Sequence, residues 1–219
     1  NLSTPLPEKP QTFILVIGES ASRDHMSLFS NYERDTTPWL SAHKNSSEFF
    51  LFKNSYACWH QTVPVLERAL TELNQYNAKT FNTSFSILDI AKKAGFNTYW
   101  FSNQGYVGSV DTPVTLIANT ADRAAWTKQE ITKKQCDDAL LEYLPTVDPT
   151  KNNFIIFHLM GSHDNFQTRY PEEFTIWGTP GKYHLIDNYD NSLAYTDYLL
   201  KEIYTYATEH LNLQGLVYF

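Results

Sequence analysis

Nowhere in its 219 residues does the chain carry an apolar run approaching the ~20 residues that cross a bilayer as a helix. A secretory leader is missing too, and the first residue is Asn1 rather than Met. Positive charge is scarce: 17 Lys and Arg against 24 Asp and Glu leave a formal net charge of −7. That balance excludes a broad basic face, and no nucleic-acid partner is expected. Cysteine is nearly absent. Cys58 and Cys136 stand too far apart for a zinc knuckle or a CxxC redox pair, and they allow one disulfide at most. Internal repeats and low-complexity tracts are lacking as well.

What is present is an ordinary apolar share with many aromatics: 14 Tyr, 14 Phe and 5 Trp. The length suits one medium domain with a sizeable core. The opening stretch from Asn1 to Pro10 is polar and punctuated by prolines, as linkers are. Residues 1–11 are therefore expected to be a linker from an absent domain, and residues 12–219 the globular unit.

Thr12-Phe13-Ile14-Leu15-Val16-Ile17 is almost wholly apolar and ends at Gly18, the pattern of a strand covered on both faces. Asn97 to Phe101, Phe154 to Leu159 and Gly215 to Phe219 predict three more strands. Helices are predicted from Ser84 to Lys93 with Gly95 closing it, from Cys136 to Leu144, and from about Ile186 to Leu211. The stretch from Gly105 to Ala125 reads as a long surface excursion. Strands alternating with helices predict an α/β fold of three layers, α/β/α, around a mostly parallel central sheet.

In such sheets ligands collect beyond the carboxyl ends of the strands. Glu19 follows the first strand directly, and a carboxylate there is either a hard metal ligand or an N-cap or surface acid at the start of a loop. Asn103 and Gln104 follow the second. Thr62 precedes Pro64, so a helix is predicted to begin at or just after Thr62, with the proline in its first turn. A hydroxyl at that place is either a helix cap or a nucleophile stabilised by the positive helix end. His163, in the loop Gly161-Ser162-His163-Asp164, is suited to hold a metal or phosphate or to donate a proton, or is merely exposed. His158 falls within the strand pattern and is expected to be a hydrogen-bonded core residue.

Taken together these segments resemble one family. Val16-Ile17-Gly18-Glu19-Ser20, Tyr32 to Pro38, Thr62 to Thr71, Trp100 to Gln104, His158 to His163, Arg169-Tyr170-Pro171 and Tyr189 to Asp197 are similar, in order, to blocks of the phosphoethanolamine transferases. These are inner-membrane enzymes of the alkaline-phosphatase and sulfatase superfamily. The resemblance implies that Glu19 is a zinc ligand and that Thr62 is the nucleophile, itself touching the metal. It implies that His163 binds the substrate phosphate or a second zinc, and that Asn103 lines the phosphoethanolamine pocket. The implied cofactor is one zinc ion, with a second possible in the family.

The implied donor is phosphatidylethanolamine, and the implied acceptor is lipopolysaccharide or another envelope molecule. The place implied is the periplasmic face of the bacterial inner membrane, reached through an absent N-terminal transmembrane domain. The family completes its metal site with an Asp-His pair after the final strand, where this sequence stops at Phe219. The resemblance thus implies weak or no activity for these residues alone. Relatives often flank the nucleophile with a disulfide, whereas the partner position to Cys58 here is Arg68. That departure points toward the branch acting on core sugars or other targets. A sulfatase is disfavoured, since Thr62 and Leu66 stand where it needs Cys or Ser and then Arg. A phosphoglycerol transferase, a phosphodiester hydrolase and an inert anion-binding domain remain as alternatives.

Overall fold

The structure, a computed structural model, describes residues 9–104, 112–127 and 135–219. Among these residues the centre is a five-stranded sheet whose neighbours are all parallel. It consists of β1 (Thr12–Ile17), β2 (Asn97–Ser102), β3 (Arg123–Trp126), β4 (Asn153–His158) and β5 (Leu213–Tyr218), in the spatial order β3-β2-β4-β1-β5. β1 lies beside β4 in unbroken register from Thr12 opposite Asn153 to Ile17 opposite His158. Because every strand points the same way, every carboxyl end opens on one rim.

Side chains alternate across a strand, so each apolar run feeds two cores. Val16, Phe101, Ile155 and Phe157 face α5 (Leu185–His210), which covers them with Leu199, Leu200 and Ile203. Leu15, Ile17, Trp100 and Ile156 face α2 (Thr62–Ala69), α3 (Ile87–Lys93) and α4 (Pro113–Asn119). This is the expected three-layer α/β/α architecture. Burying each large side chain contributes roughly 2 kcal/mol, which is why the central strands tolerate so little polar sequence.

Three local expectations are corrected. The helix predicted from Ser84 begins at Ile87. Ser86 caps it by accepting from Asp89 N (3.1 Å) while Ser86 N donates to Asp89 Oδ2 (2.8 Å), and this box leaves Phe85 outside and exposed. The helix predicted from Cys136 is a 3-10 helix, Asp137–Thr146, with Pro145 inside it. The supposed surface excursion contains α4 and β3. Thr112 and Thr115 form the cap of α4, and β3 is a four-residue edge strand too short to register as a periodic pattern. Residues 105–111 of that stretch lie outside the described residues.

Residues 1–8 of the expected linker also lie outside them. Gln11 is already attached, since its N–H donates to Asn152 Oδ1 (2.9 Å) and its carbonyl accepts from Asn153 N (2.8 Å). Among the described residues no helix is long and apolar enough to cross a membrane. Cys58 and Cys136 are both free thiols.

Candidate active site at the carboxyl rim

Glu19 is delivered to the rim by β1. Gly18 just before it leaves no room for a side chain, because a Cβ there would lie 2.8 Å from the Tyr218 ring on β5. Gly18 N donates to Phe219 O (2.7 Å), so the end of β5 lies against the same turn. After Glu19 the backbone reverses through Ser20, whose φ is +54°. Tyr189 of α5 holds that turn from beneath: its hydroxyl donates to Ser20 O (2.7 Å) and accepts from Ser22 N (2.6 Å). The Ser20 hydroxyl donates to Glu19 Oε1 (2.9 Å).

Thr62 comes from a different direction. It is the first residue of α2, and Gln61 occupies the cap position without a side-chain bond. The Thr62 hydroxyl is therefore not the helix cap. It donates instead to Glu19 Oε2 at 2.6 Å, across 43 residues of sequence. Two oxygens that sequence separates thus share one point at the positive end of a helix.

The third element is the loop after β4, which brings His163. This loop is bound to the Glu19 turn by its backbone: Leu159 N donates to Ile17 O (2.9 Å) and Ser162 N to Glu19 O (2.9 Å). Gly161 adopts φ +51°, and a Cβ there would approach Glu19 N to 2.9 Å and Glu19 O to 3.0 Å, so glycine is required at the crossing. Arg169, buried, donates to the carbonyls of His163 (Nε, 3.1 Å) and Asp164 (Nη2, 2.8 Å). Burial pushes its guanidinium below its usual range, while Asp137 draws it back. The His163 side chain itself is exposed and, with Glu19, Thr62, His60 and Pro64, lines an open pocket of about 550 Å³.

Asn103 takes a different place from the one the resemblance implies. Its side chain is fully buried, and its amide donates to Asp137 Oδ1 (2.7 Å) and to Gln135 O (3.1 Å) while its carbonyl accepts from the Thr127 hydroxyl (2.5 Å). The physical reason is the direction of the chain after Ser102, which aims the amide under the β4 loop and away from solvent. Asn103 supports the rim and does not line the pocket.

Its partner Asp137 is a residue that sequence reasoning missed. Fully enclosed, it accepts from Met160 N (2.8 Å) and Gly161 N (2.8 Å) and so pins the loop that carries His163. Burial drives its carboxyl upward against the pull of these donors and of Arg169. No motif marks it; only the fold joins positions 137 and 161. Tyr189 and His60 were also missed, although Tyr189 lies in a segment whose resemblance was noted and His60 is two residues from Thr62. His158 is buried as expected, but among the described residues its Nε2 has no hydrogen-bond partner, and its ring meets Trp100 edge-on at 5.7 Å. Burial pushes its imidazole down to about 4.

Carboxylate, hydroxyl and imidazole are donors that catalytic zinc accepts. Glu19 and Thr62, with oxygens 2.6 Å apart, fit one such ion as two of its ligands. Among the described residues no group of three or more His, Cys, Asp or Glu that could hold a metal ion converges on one point.

Comparison with known proteins gives the chain relatives along most of its length. Phosphoethanolamine transferase EptC of Escherichia coli strain K12 is 32% identical over 210 residues, covering 89% of this chain and 36% of that protein. Phosphoethanolamine transferase CptA of Salmonella typhimurium is 35% identical over 170 residues, covering 75% of this chain and 29% of that protein. The chain therefore spans about a third of the length of these curated relatives. Among solved structures, the C-terminal periplasmic domain of Escherichia coli EptC in complex with Zn superposes with a TM-score of 0.83 at 30% identity, covering 97% of this chain and 63% of that one. The soluble domain of lipooligosaccharide phosphoethanolamine transferase A from Neisseria meningitidis shares the fold at a TM-score of 0.77 and 21% identity. The Sulfatase family matches residues 11–219, nearly the whole length, and the chain belongs to it.

Proposed function

We propose that this domain transfers phosphoethanolamine from phosphatidylethanolamine to a cell-envelope acceptor, with Thr62 as the nucleophile. The observation that carries the reading is the 2.6 Å bond from the Thr62 hydroxyl to Glu19, at the mouth of a pocket shared with His163. Relatives that are phosphoethanolamine transferases, and a neighbour whose structure is a complex with Zn, support the same assignment.

In this reading Glu19 and Thr62 hold zinc, which when bound lowers the pKa of the hydroxyl and polarises the phosphoryl group. Glu19 Oε2 already accepts the hydrogen that must leave Thr62 Oγ1 before attack. Thr62 Oγ1 then bonds to phosphorus, the bond to the diacylglycerol oxygen breaks, and diacylglycerol leaves with a proton. Phosphoethanolamine remains as an ester of Thr62. The first turn of α2 aims its free N–H groups at the phosphoryl oxygens, and His163 lies within the pocket to bind them. An acceptor hydroxyl or phosphate on lipid A, a core sugar or a protein attacks the same phosphorus, and Thr62 Oγ1 leaves. Residues before the domain connect it to a transmembrane part, which sets it at the periplasmic face of the inner membrane.

The test uses the full-length protein and phosphatidylethanolamine labelled in its headgroup. After acid quenching, mass spectrometry should find phosphoethanolamine on the peptide containing Thr62. Thr62→Ala should abolish both this adduct and transfer, by a factor of about 10³ or more. Unlabelled Thr62 in an enzyme that still transfers the group would overturn the proposal. Transfer of labelled glycerol phosphate from phosphatidylglycerol instead would replace the donor.

A further inference from the structure

Away from the pocket, a second cavity of about 510 Å³ lies between the turn after Glu19 and the segment following α1 (Pro38–His43). Arg23, Lys44 and Lys53 line it, opposed by one acid, Asp24, with Phe29 and Leu51 at its apolar side. Three cations against one carboxylate is a local inversion in a chain whose net charge is −7.

Beyond this cavity the loop carries exposed aromatic side chains. Phe50 is 83% exposed, Phe52 72%, Tyr56 79% and Trp59 53%. These four fall within ten residues and are all aromatic, whereas the other close group of large exposed apolar residues among those described, Ile176, Tyr183, Leu185 and Ile186, is mostly aliphatic. The rings and the cations form one unit: the Arg23 guanidinium donates to Lys53 O and lies 5.6 Å from the Tyr56 ring. The same loop leads directly to the pocket, with Trp59 stacked on His60 at 6.0 Å and Thr62 following.

We propose that this cationic cavity and the aromatic loop Phe50–Trp59 form a docking surface for an anionic lipid bilayer. Anionic headgroup phosphates enter the cavity against Arg23, Lys44 and Lys53, and the rings settle at the boundary between headgroups and acyl chains. Each half requires the other. A soluble anion would leave four rings in water, and an apolar protein groove would strand three cations. Rings and cations side by side match the interface of a bilayer, where aromatics sit at the headgroup level and basic residues meet anionic lipid. Docking there would hold the pocket at the surface from which a lipid donor is drawn. The inference rests on the proposed function only for that consequence, since the contact itself involves no chemistry.

Co-sedimentation of the 219-residue chain with vesicles tests it. Vesicles of phosphatidylethanolamine with a quarter phosphatidylglycerol should bind the chain, and binding should weaken as salt rises. Phosphatidylcholine vesicles should bind it at least tenfold less. Lys44→Gln with Lys53→Gln should lower partition to the acidic vesicles about fivefold per charge removed and flatten the salt dependence. Phe50→Ser, Phe52→Ser and Trp59→Ser together should lower it at least tenfold, with an unchanged far-UV spectrum because all three positions are exposed. On the unmodified chain, amide exchange in residues 44–59 should slow when acidic vesicles are added. Absence of binding to acidic vesicles, equal binding by the variants, or protection elsewhere would overturn the proposal. Vesicle binding by this chain together with an unlabelled Thr62 in a full-length protein that still transfers the group would overturn the proposed function and leave this surface standing.

Discussion

Acidification should act on this domain through two buried groups in opposite senses, and the size of each effect follows from its surroundings. His158 ends β4 at 5% exposure, with Nε2 unpartnered among the described residues and Trp100 against its ring. A proton there would have no acceptor, and burial accordingly lowers its pKa from 6.5 to about 4. A base whose folded pKa is depressed contributes stability that is complete above 6.5 and is lost as pH falls toward 4. Between pH 7.5 and pH 5 the unfolded chain takes up most of this proton while the folded chain does not, which costs about 2 kcal/mol. Asp197 works in the opposite sense. Burial raises its carboxyl to about 6 although it accepts from Trp39 N (2.7 Å) and Leu40 N (3.1 Å). Its contribution is complete below 3.8 and is lost as pH rises through 6, so acidification over the same range returns about 1.5 kcal/mol. The two nearly cancel in the parent protein, and variants must separate them. Urea unfolding at pH 7.5, 6 and 5 should show His158→Gln gaining about 2 kcal/mol on the parent as pH falls. Asp197→Asn should lose ground over the same interval. Only the slopes are compared, so a constant offset from repacking does not matter. Parallel lines for His158→Gln and the parent would refute the reasoning.

Other perturbations probe the rim. Gly161→Ala places a methyl against Glu19 backbone atoms at 2.9 and 3.0 Å in a left-handed conformation; it should cost about 2 kcal/mol in a urea melt and weaken zinc uptake measured against a chromophoric chelator. Asp137→Asn offers one acceptor where three donors now converge, so at least one backbone N–H of Met160 or Gly161 is left unpaired. That should lower stability by about 1–3 kcal/mol and raise amide exchange in residues 159–163.

Much of the fold was readable as pattern. β1, β2 and β4 announce themselves because a parallel strand buried on both faces must be apolar along its length, while β5, at an edge and only partly buried, shows as a short apolar run. α5 shows through its apolar stripe, and Pro64 together with the turn of the chain marks where α2 begins. The short pieces escaped for a physical reason. β3 has four residues and sits at the sheet edge, and the start of α3 is decided by a hydrogen-bond exchange between Ser86 and Asp89 that no hydrophobic pattern encodes.

The residue types for the candidate chemistry were also present in the sequence: a carboxylate after β1, a hydroxyl at the start of α2, an imidazole after β4. Their resemblance to a family arranged them into one proposal. What only the tertiary structure decided is which of them meet. Glu19 and Thr62 share a hydrogen bond because β1 and α2 converge on one rim, whereas Asn103, equally well placed in sequence, turns inward to hold Asp137. Two supports of the site, Asp137 and Tyr189, act through backbone atoms of distant loops. Such contacts leave no local signature, because a buried donor selects its acceptor by position in space and not by spacing along the chain.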